Sequence, residues 1–443
     1  MLFKTNKIYL VAAVLLILGA GAYLFLADFQ ILKKISGNNL PAVTSTSSVG
    51  PSGEIDFLTL PDNLTISVFA DGLEEPRVIA FDSSGRMLVS ETEAGRVVLL
   101  EDIDNDGLAE KKTVLHEGLR SPHGLAFYTN PVTKKVYLYV AETHQVLRFE
   151  YNVSKGVLID AAGQNIANLP ADGRNLTRSI AFGPNFRKEQ IIDGMSDVNT
   201  QILTKLYISV GSSCDVCVET ETWKRAAILE SDLEGKYTAE FAGGLRNSTF
   251  FTFHPDTKEI WATEIGRGGL GGKLPPDEIN IVRAATSQHK YGARRYGWPF
   301  CYGDRVKDNT FDPGKATRAD IPADCDQTEP ATIEIPAHSS PMGLAFITSD
   351  KWPKEWRNSL LVAYHGSLNG GVATGYKIVK FDVDKNGLPS EASEKEGRDF
   401  ITGWLTSDNK VFGQPVDLKF GPDGALYISD DAAGIIYRVT ASI

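Results

Sequence analysis

His123, in the run Pro122-His123-Gly124-Leu125-Ala126-Phe127, occupies a place in the sequence that recurs. Arg77, Arg178, Arg246 with Asn247, Met342 and Val416 stand at the equivalent place in other copies of one pattern, in which alternating apolar residues run on to a Phe. Histidine can take a proton near neutral pH, and arginine presents a fixed fork to carboxylates. If the chain brings these places together, the chemistry on offer is proton transfer beside an anionic ligand. Alone, His123 would be read as a core or turn histidine; its neighbours by repeat position favour the functional reading.

The pattern supplies the means of gathering them. The run 77–81 turns and leads to a second β-rich run at 87–90, 123–127 leads to 136–141, and 178–182 to 206–210. Likewise 247–253 leads to 260–263, 342–346 to 360–363, and 416–420 to 426–429. Most copies give a third run, at 96–100, 146–149, 278–282, 377–381 and 435–439. About six repeats of short strands predict an all-β protein, a β-propeller in which like positions meet around the central channel. The strand 64–70 has no repeat before it and is expected to complete the last blade beside 435–439, removing an open sheet edge.

The chain has 443 residues and a formal net charge of -11, which argues against nucleic acid as a partner. Residues 1–7 read as a cytoplasmic tail carrying Lys4 and Lys7, and 8–27 as an apolar run long enough to cross a bilayer. That run is either a transmembrane anchor helix or a signal peptide, and both place the rest outside the cytoplasm, at the cell surface or in a periplasm. Residues 28–56, with a stretch rich in Ser, Thr, Gly and Pro, read as a flexible linker, and 57–443 as the propeller.

There are four cysteines, in two local pairs. Outside the cytoplasm Cys214 with Cys217 and Cys301 with Cys325 are expected to be disulfides, the longer loop worth about 3 kcal/mol by chain entropy. A four-cysteine zinc site is the alternative, which the wide spacing of Cys301 and Cys325 disfavours. Asp102, Asp104 and Asp106, ahead of Gly107, form an Asp-x-Asp-x-Asp-Gly loop. Alternate carboxylates before a glycine turn suit a hard cation such as calcium, with Glu110 a further ligand; an acidic surface turn is the other reading.

Taken together, Pro122-His123-Gly124-Leu125-Ala126-Phe127, Gly211-Ser212-Ser213-Cys214-Asp215-Val216-Cys217, Gly244-Leu245-Arg246-Asn247, Leu274-Pro275-Pro276-Asp277-Glu278-Ile279-Asn280 and Tyr296-Gly297-Trp298-Pro299 resemble the glucose/sorbosone dehydrogenase family. The resemblance runs from about residue 60 to the C-terminus. It implies a six-bladed propeller that holds pyrroloquinoline quinone (PQQ) and calcium at one end of the channel and oxidises an aldose or a sorbosone-like aldehyde. His123 would be the general base, and Arg246 and Asn247 would bind the quinone and steady its reduced oxygen. Carbonyls of Gly266 and Arg267 would face the cofactor calcium, and Glu278 with the Tyr296 carbonyl would form a second calcium site. Asn369 and Gln414 stand in stretches that would face the cofactor, but Gly370 and Gln414 replace arginines frequent in the family. Arg77, Arg178 and Arg267 are the cations left to compensate. The expectation is therefore a quinoprotein sugar dehydrogenase with an electron acceptor the sequence does not identify; the alternative is a non-catalytic propeller serving as a cell-surface binding module.

Overall fold

The computed structural model describes residues 55–186, 204–289, 292–369, 372–383 and 397–442. The expected membrane segment 8–27 and most of the linker lie outside the described residues, among which no helix is long and apolar enough to cross a membrane. Ile55, assigned above to the linker, instead belongs to the propeller: it is buried against the apolar layer that includes Trp404 and Ile401.

The six repeats form six antiparallel blades. The first is Pro76–Phe81, Met87–Glu91, Arg96–Glu101 and Lys111–Glu117, and the second is Leu125–Thr129, Val136–Ala141, Gln145–Asn152 and Gln164–Asn168. The third comprises Ile180–Pro184, Thr204–Val210, Ala227–Ser231 and Thr238–Gly243, and the fourth Phe251–Phe253, Ile260–Glu264, Asp277–Val282 and Ile333–Ile335. Pro341–Phe346, Leu360–Tyr364, Lys377–Phe381 and Arg398–Ile401 make the fifth. The sixth is Pro415–Phe420, Leu426–Asp430 and Ile435–Ala441, completed by Leu64–Ala70 in antiparallel register with Leu64 opposite Ala441, as the pattern predicts.

Burial explains which strands the sequence betrays. Second strands such as Ile260–Glu264 and Leu360–Tyr364 are buried at every position, because both faces of the sheet pack on neighbouring blades. The outermost strand Lys111–Glu117 is largely exposed and carries no apolar signature. Inner strands touch in cyclic order and are stitched by side chains near the axis. Ser429 Oγ donates to the Arg77 carbonyl (2.6 Å), Ser179 Oγ to that of Thr249 (2.5 Å), and Thr249 Oγ1 to that of Pro341 (3.0 Å). Every inner strand runs in the same sense, so the residues that enter them meet at one mouth. The Phe residues that end them, including Phe81, Phe127, Phe182 and Phe253, border the other end of a channel of about 420 Å³.

Candidate functional site

His123 sits at the mouth, almost fully buried, where the chain enters the second blade. Gly124 lets the strand press against the third blade: its N–H bonds the Arg178 carbonyl at 2.9 Å, and a β-carbon there would lie 2.6 Å from that oxygen. The same carbonyl is 3.3 Å from His123 Nδ1, so Nδ1 carries the proton and Nε2 is left as the acceptor. Nε2 is buried without a partner among the described residues. Burial first, and then the Arg77 guanidinium, push the imidazole pKa down to about 3, which keeps it neutral and able to accept.

Arg77 is part of a buried chain of polar groups. Its Nη1 pairs with Asp431 at 2.5 Å, Nη2 lies 3.8 Å from Met342 Sδ, and Nε has no partner among the described residues. Asp431 also meets His365 Nε2 at 3.0 Å, and Gln414 Nε2 reaches His365 Nδ1 at 3.2 Å. Gln414 thus meets a ring nitrogen and nearby carbonyls where the family frequently has an arginine. Burial works to raise the Asp431 pKa, but His365 and Arg77 overcome it and hold it down to about 2. A carboxyl depressed on folding contributes stability above its unfolded value and loses it as pH falls through the folded one. The Asp431 network should therefore contribute about 2 kcal/mol above pH 4 that disappears toward pH 2. Acid unfolding of Asp431→Asn should begin from a lower stability and fall less steeply than wild type; parallel curves would refute this.

Arg178 requires a correction. Rather than facing a ligand, its guanidinium is fully buried and donates to the carbonyls of Thr143 (3.2 Å), Asn175 (2.9 Å), Thr177 (2.8 Å) and Pro170 (2.8 Å). It fastens the loop before its own strand to the second blade, and burial lowers its pKa to about 9. Arg267 is likewise drawn aside, to Asp308 at 2.6 Å and to the Thr310 hydroxyl. Arg246 keeps capacity: Nε donates to the Asp215 carbonyl (2.9 Å), Nη2 to Asp215 Oδ1 (2.7 Å) and Nη1 to the Ile265 carbonyl (3.0 Å), and its remaining N–H groups have no hydrogen-bond partner among the described residues. Asn247 is buried beside it, with its Oδ1 against Gly211. Asn369 ends the strand Ser367–Asn369; its side chain and Gly370 lie outside the described part.

Gly266, Arg267, Glu278 and Tyr296, four positions assigned to calcium by resemblance, line one small cavity of about 30 Å³ together with Glu264. Glu278 Oε1 accepts from the Gly303 N–H (2.6 Å) and Oε2 from Asn280 (2.9 Å), and burial lifts its pKa to about 7. Glu264, opposite it on the adjacent strand, is lifted to about 8 by burial, against hydrogen bonds from Ser248 and the Asn247 N–H. Arg246 and Arg267 also line the cavity but pair with Asp215 and Asp308, and neither buried carboxyl has an ion pair among the described residues, so the two glutamates are a donor set that a hard divalent ion fits. The second acidic cluster is on the opposite end of the molecule. Asp102, Asp104, Asp106 and Glu110 bring ligand atoms within 4.8 Å of one another, in a loop beside the Phe81 end of the channel.

Both cysteine pairs are disulfides, Cys214–Cys217 and Cys301–Cys325, which removes the zinc alternative.

Glu264, Asp431 and Asp215 were given no role by the sequence, and His365 stood only as a weak candidate near the same face. A signal for Glu264 exists: an acid ends or directly follows the second strand in four repeats, as Glu91, Glu142, Glu264 and Asp430, all buried. Each accepts an N–H from the segment entering its own blade, those of Glu74, Arg120, Asn247 and Gln414.

The family model described as TrAA12-like matches residues 58–442. An uncharacterized protein of Borreliella burgdorferi is 34% identical over 235 residues, 53% of this chain and 57% of that one, so the chain matches little over half the length of this relative. A pyrroloquinoline quinone-dependent sugar dehydrogenase of Hypocrea jecorina is 23% identical over 410 residues, covering 86% of this chain and 89% of that one. Among solved structures, a Trichoderma reesei carbohydrate-active enzyme of family AA12 superposes with a TM-score of 0.68 at 21% identity, covering 87% of this chain and 98% of that one.

Proposed function

The chain belongs to the TrAA12-like family of PQQ sugar dehydrogenase-like propellers, and on that premise we propose that it is a PQQ-dependent oxidoreductase of sugars in which His123 is the general base. The supporting observation is the buried Nε2 of His123 beside Arg77 at the mouth, an acceptor with no donor among the described residues. When bound there, PQQ would supply the two-electron acceptor that takes hydride from the sugar carbon.

The remaining work falls to the chain. The Arg178 carbonyl holds the imidazole in the Nδ1–H tautomer, so Nε2 receives the hydroxyl proton. Arg77 lowers the basicity of that nitrogen; an anionic ligand beside the guanidinium would offset its charge and raise the imidazole pKa toward the working range. Arg246 retains N–H groups for an oxygen that gains negative charge. Calcium is assigned to the Glu264–Glu278 cavity with the carbonyls of Gly266, Arg267 and Tyr296; the Asp102–Asp106 loop is a separate candidate for a cation and takes no part in the reaction. An extracytoplasmic setting is supported by the two disulfides and by the apolar run 8–27. Full-length protein that stays in the cytosolic fraction would remove it.

Titration calorimetry with PQQ, with and without calcium, tests the reading. Binding at micromolar concentration or tighter is expected, strengthened by calcium and weakened by Glu278→Gln. No heat with either partner would leave the non-catalytic module, for which Gln414 is the motive.

A further inference from the structure

Two of the three hydrogen bonds that direct Arg246 come from one short loop, and the third goes to the Ile265 carbonyl (3.0 Å). Within Ser212–Glu219 the disulfide Cys214–Cys217 closes a tight turn, and Ser213 fastens that turn by donating from N–H (2.5 Å) and Oγ (3.0 Å) to the carboxylate of Glu219. Asp215 lies inside the closed turn and grips Arg246 twice, by its carbonyl on Nε at 2.9 Å and its Oδ1 on Nη2 at 2.7 Å. Oδ1 also accepts the Gly268 N–H at 3.1 Å, and the carbonyl accepts Trp298 Nε1 at 3.2 Å. One residue thus joins the arginine, the glycine-rich loop that follows Arg267, and the tryptophan of the small cavity.

We propose that Asp215, presented by the Cys214–Cys217 turn, is the positioning residue that aims Arg246 into the mouth and sets the glycine-rich loop beside it. The inference deepens the proposed function, because it takes Arg246 to be the cation that meets the cofactor. A two-point grip fixes a guanidinium plane in a way that one contact cannot, and charge-assisted hydrogen bonds are the strong ones. A solvent-facing ion pair would be worth little, but here the arginine side chain is 7% exposed.

The test compares Asp215→Ala and Asp215→Asn in the full chain, with two readouts. In PQQ titrations Asp215→Ala should weaken binding about tenfold or more, whereas Asp215→Asn, which keeps an acceptor oxygen, should lose far less. Asp215→Ala added to Arg246→Ala should cost far less than it does alone, because the aspartate acts chiefly through the arginine. Additive losses, or an alanine variant as tight as wild type, would overturn the inference. The second readout needs no cofactor: hydrogen exchange of the amides in 244–247 and at Gly268 should accelerate in Asp215→Ala, and in wild type after reduction of the disulfide. If wild type binds no PQQ, the functional reading falls and exchange alone decides; unchanged exchange rejects the positioning role.

Discussion

His123→Ala should lower sugar-dependent reduction of the bound cofactor by about 10²- to 10⁴-fold, the usual contribution of a positioned general base, with little change in PQQ affinity. The expectation follows from how the imidazole is held. Burial and the Arg77 charge keep it neutral, the Arg178 carbonyl fixes the proton on Nδ1, and Nε2 is the buried acceptor left over. His365 is no equivalent, since both of its nitrogens are engaged by Asp431 and Gln414. Because alanine leaves a void beside Phe250, whose ring lies 5.1 Å from the imidazole, His123→Asn should be made alongside, as its amide can still donate to the Arg178 carbonyl. Both variants should melt cooperatively, bind PQQ and fail to turn over. Activity within a few-fold of wild type in either one would remove the imidazole from the chemistry.

The largest structural effect should come from the strand that closes the ring. Ile66 and Val68 are buried, pair with Val439 and Tyr437, and belong to the apolar layer containing Trp404. Placing Asp at both positions would bury two unpaired carboxylates, each costing about 3 kcal/mol or more, against a total stability of roughly 5–15 kcal/mol. Detaching Leu64–Ala70 would also expose the edge of Ile435–Ala441, a row of unpaired backbone groups that templates association. The double variant Ile66→Asp/Val68→Asp should therefore aggregate or lose its cooperative melt in calorimetry. A soluble monomer melting within a few degrees of wild type would mean that the ring is held without this strand.

Much of this architecture was legible because it repeats. The inner and second strands are apolar and alternate with turn residues, and the unpaired run 64–70 stood out for lacking a repeat of its own. The outer strands were not, since Lys111–Glu117 and Gln164–Asn168 face solvent and their residues obey no burial pattern. Ala227–Ser231 was missed for another reason: a loop carrying a disulfide separates it from its partner Thr204–Val210 and hides the spacing. At the mouth, residue type located His123 but misjudged Arg178. A charged side chain at a repeat position was taken to face the axis, whereas three carbonyls of the irregular loop before it and one of the second blade, invisible to any pattern, had claimed it. Asp431 escaped because its partners His365 and Arg77 are far away in the chain.

The acidic residues that tie entering segments to their blades carry one more consequence. The third blade has Gly211 at that position, where a β-carbon would fall 2.5 Å from the Asn175 side chain, so no carboxylate can be accommodated. Beside Arg178, its entry is held by the turn bridged between Cys214 and Cys217, where the Ser213 carbonyl accepts the Arg174 N–H (2.8 Å). Most of the rim can thus set as soon as the polypeptide collapses, while one sector waits for an oxidant. Maturation of this protein should accordingly pass through a folded, thiol-bearing form, complete in shape but with its last arginine still unaligned.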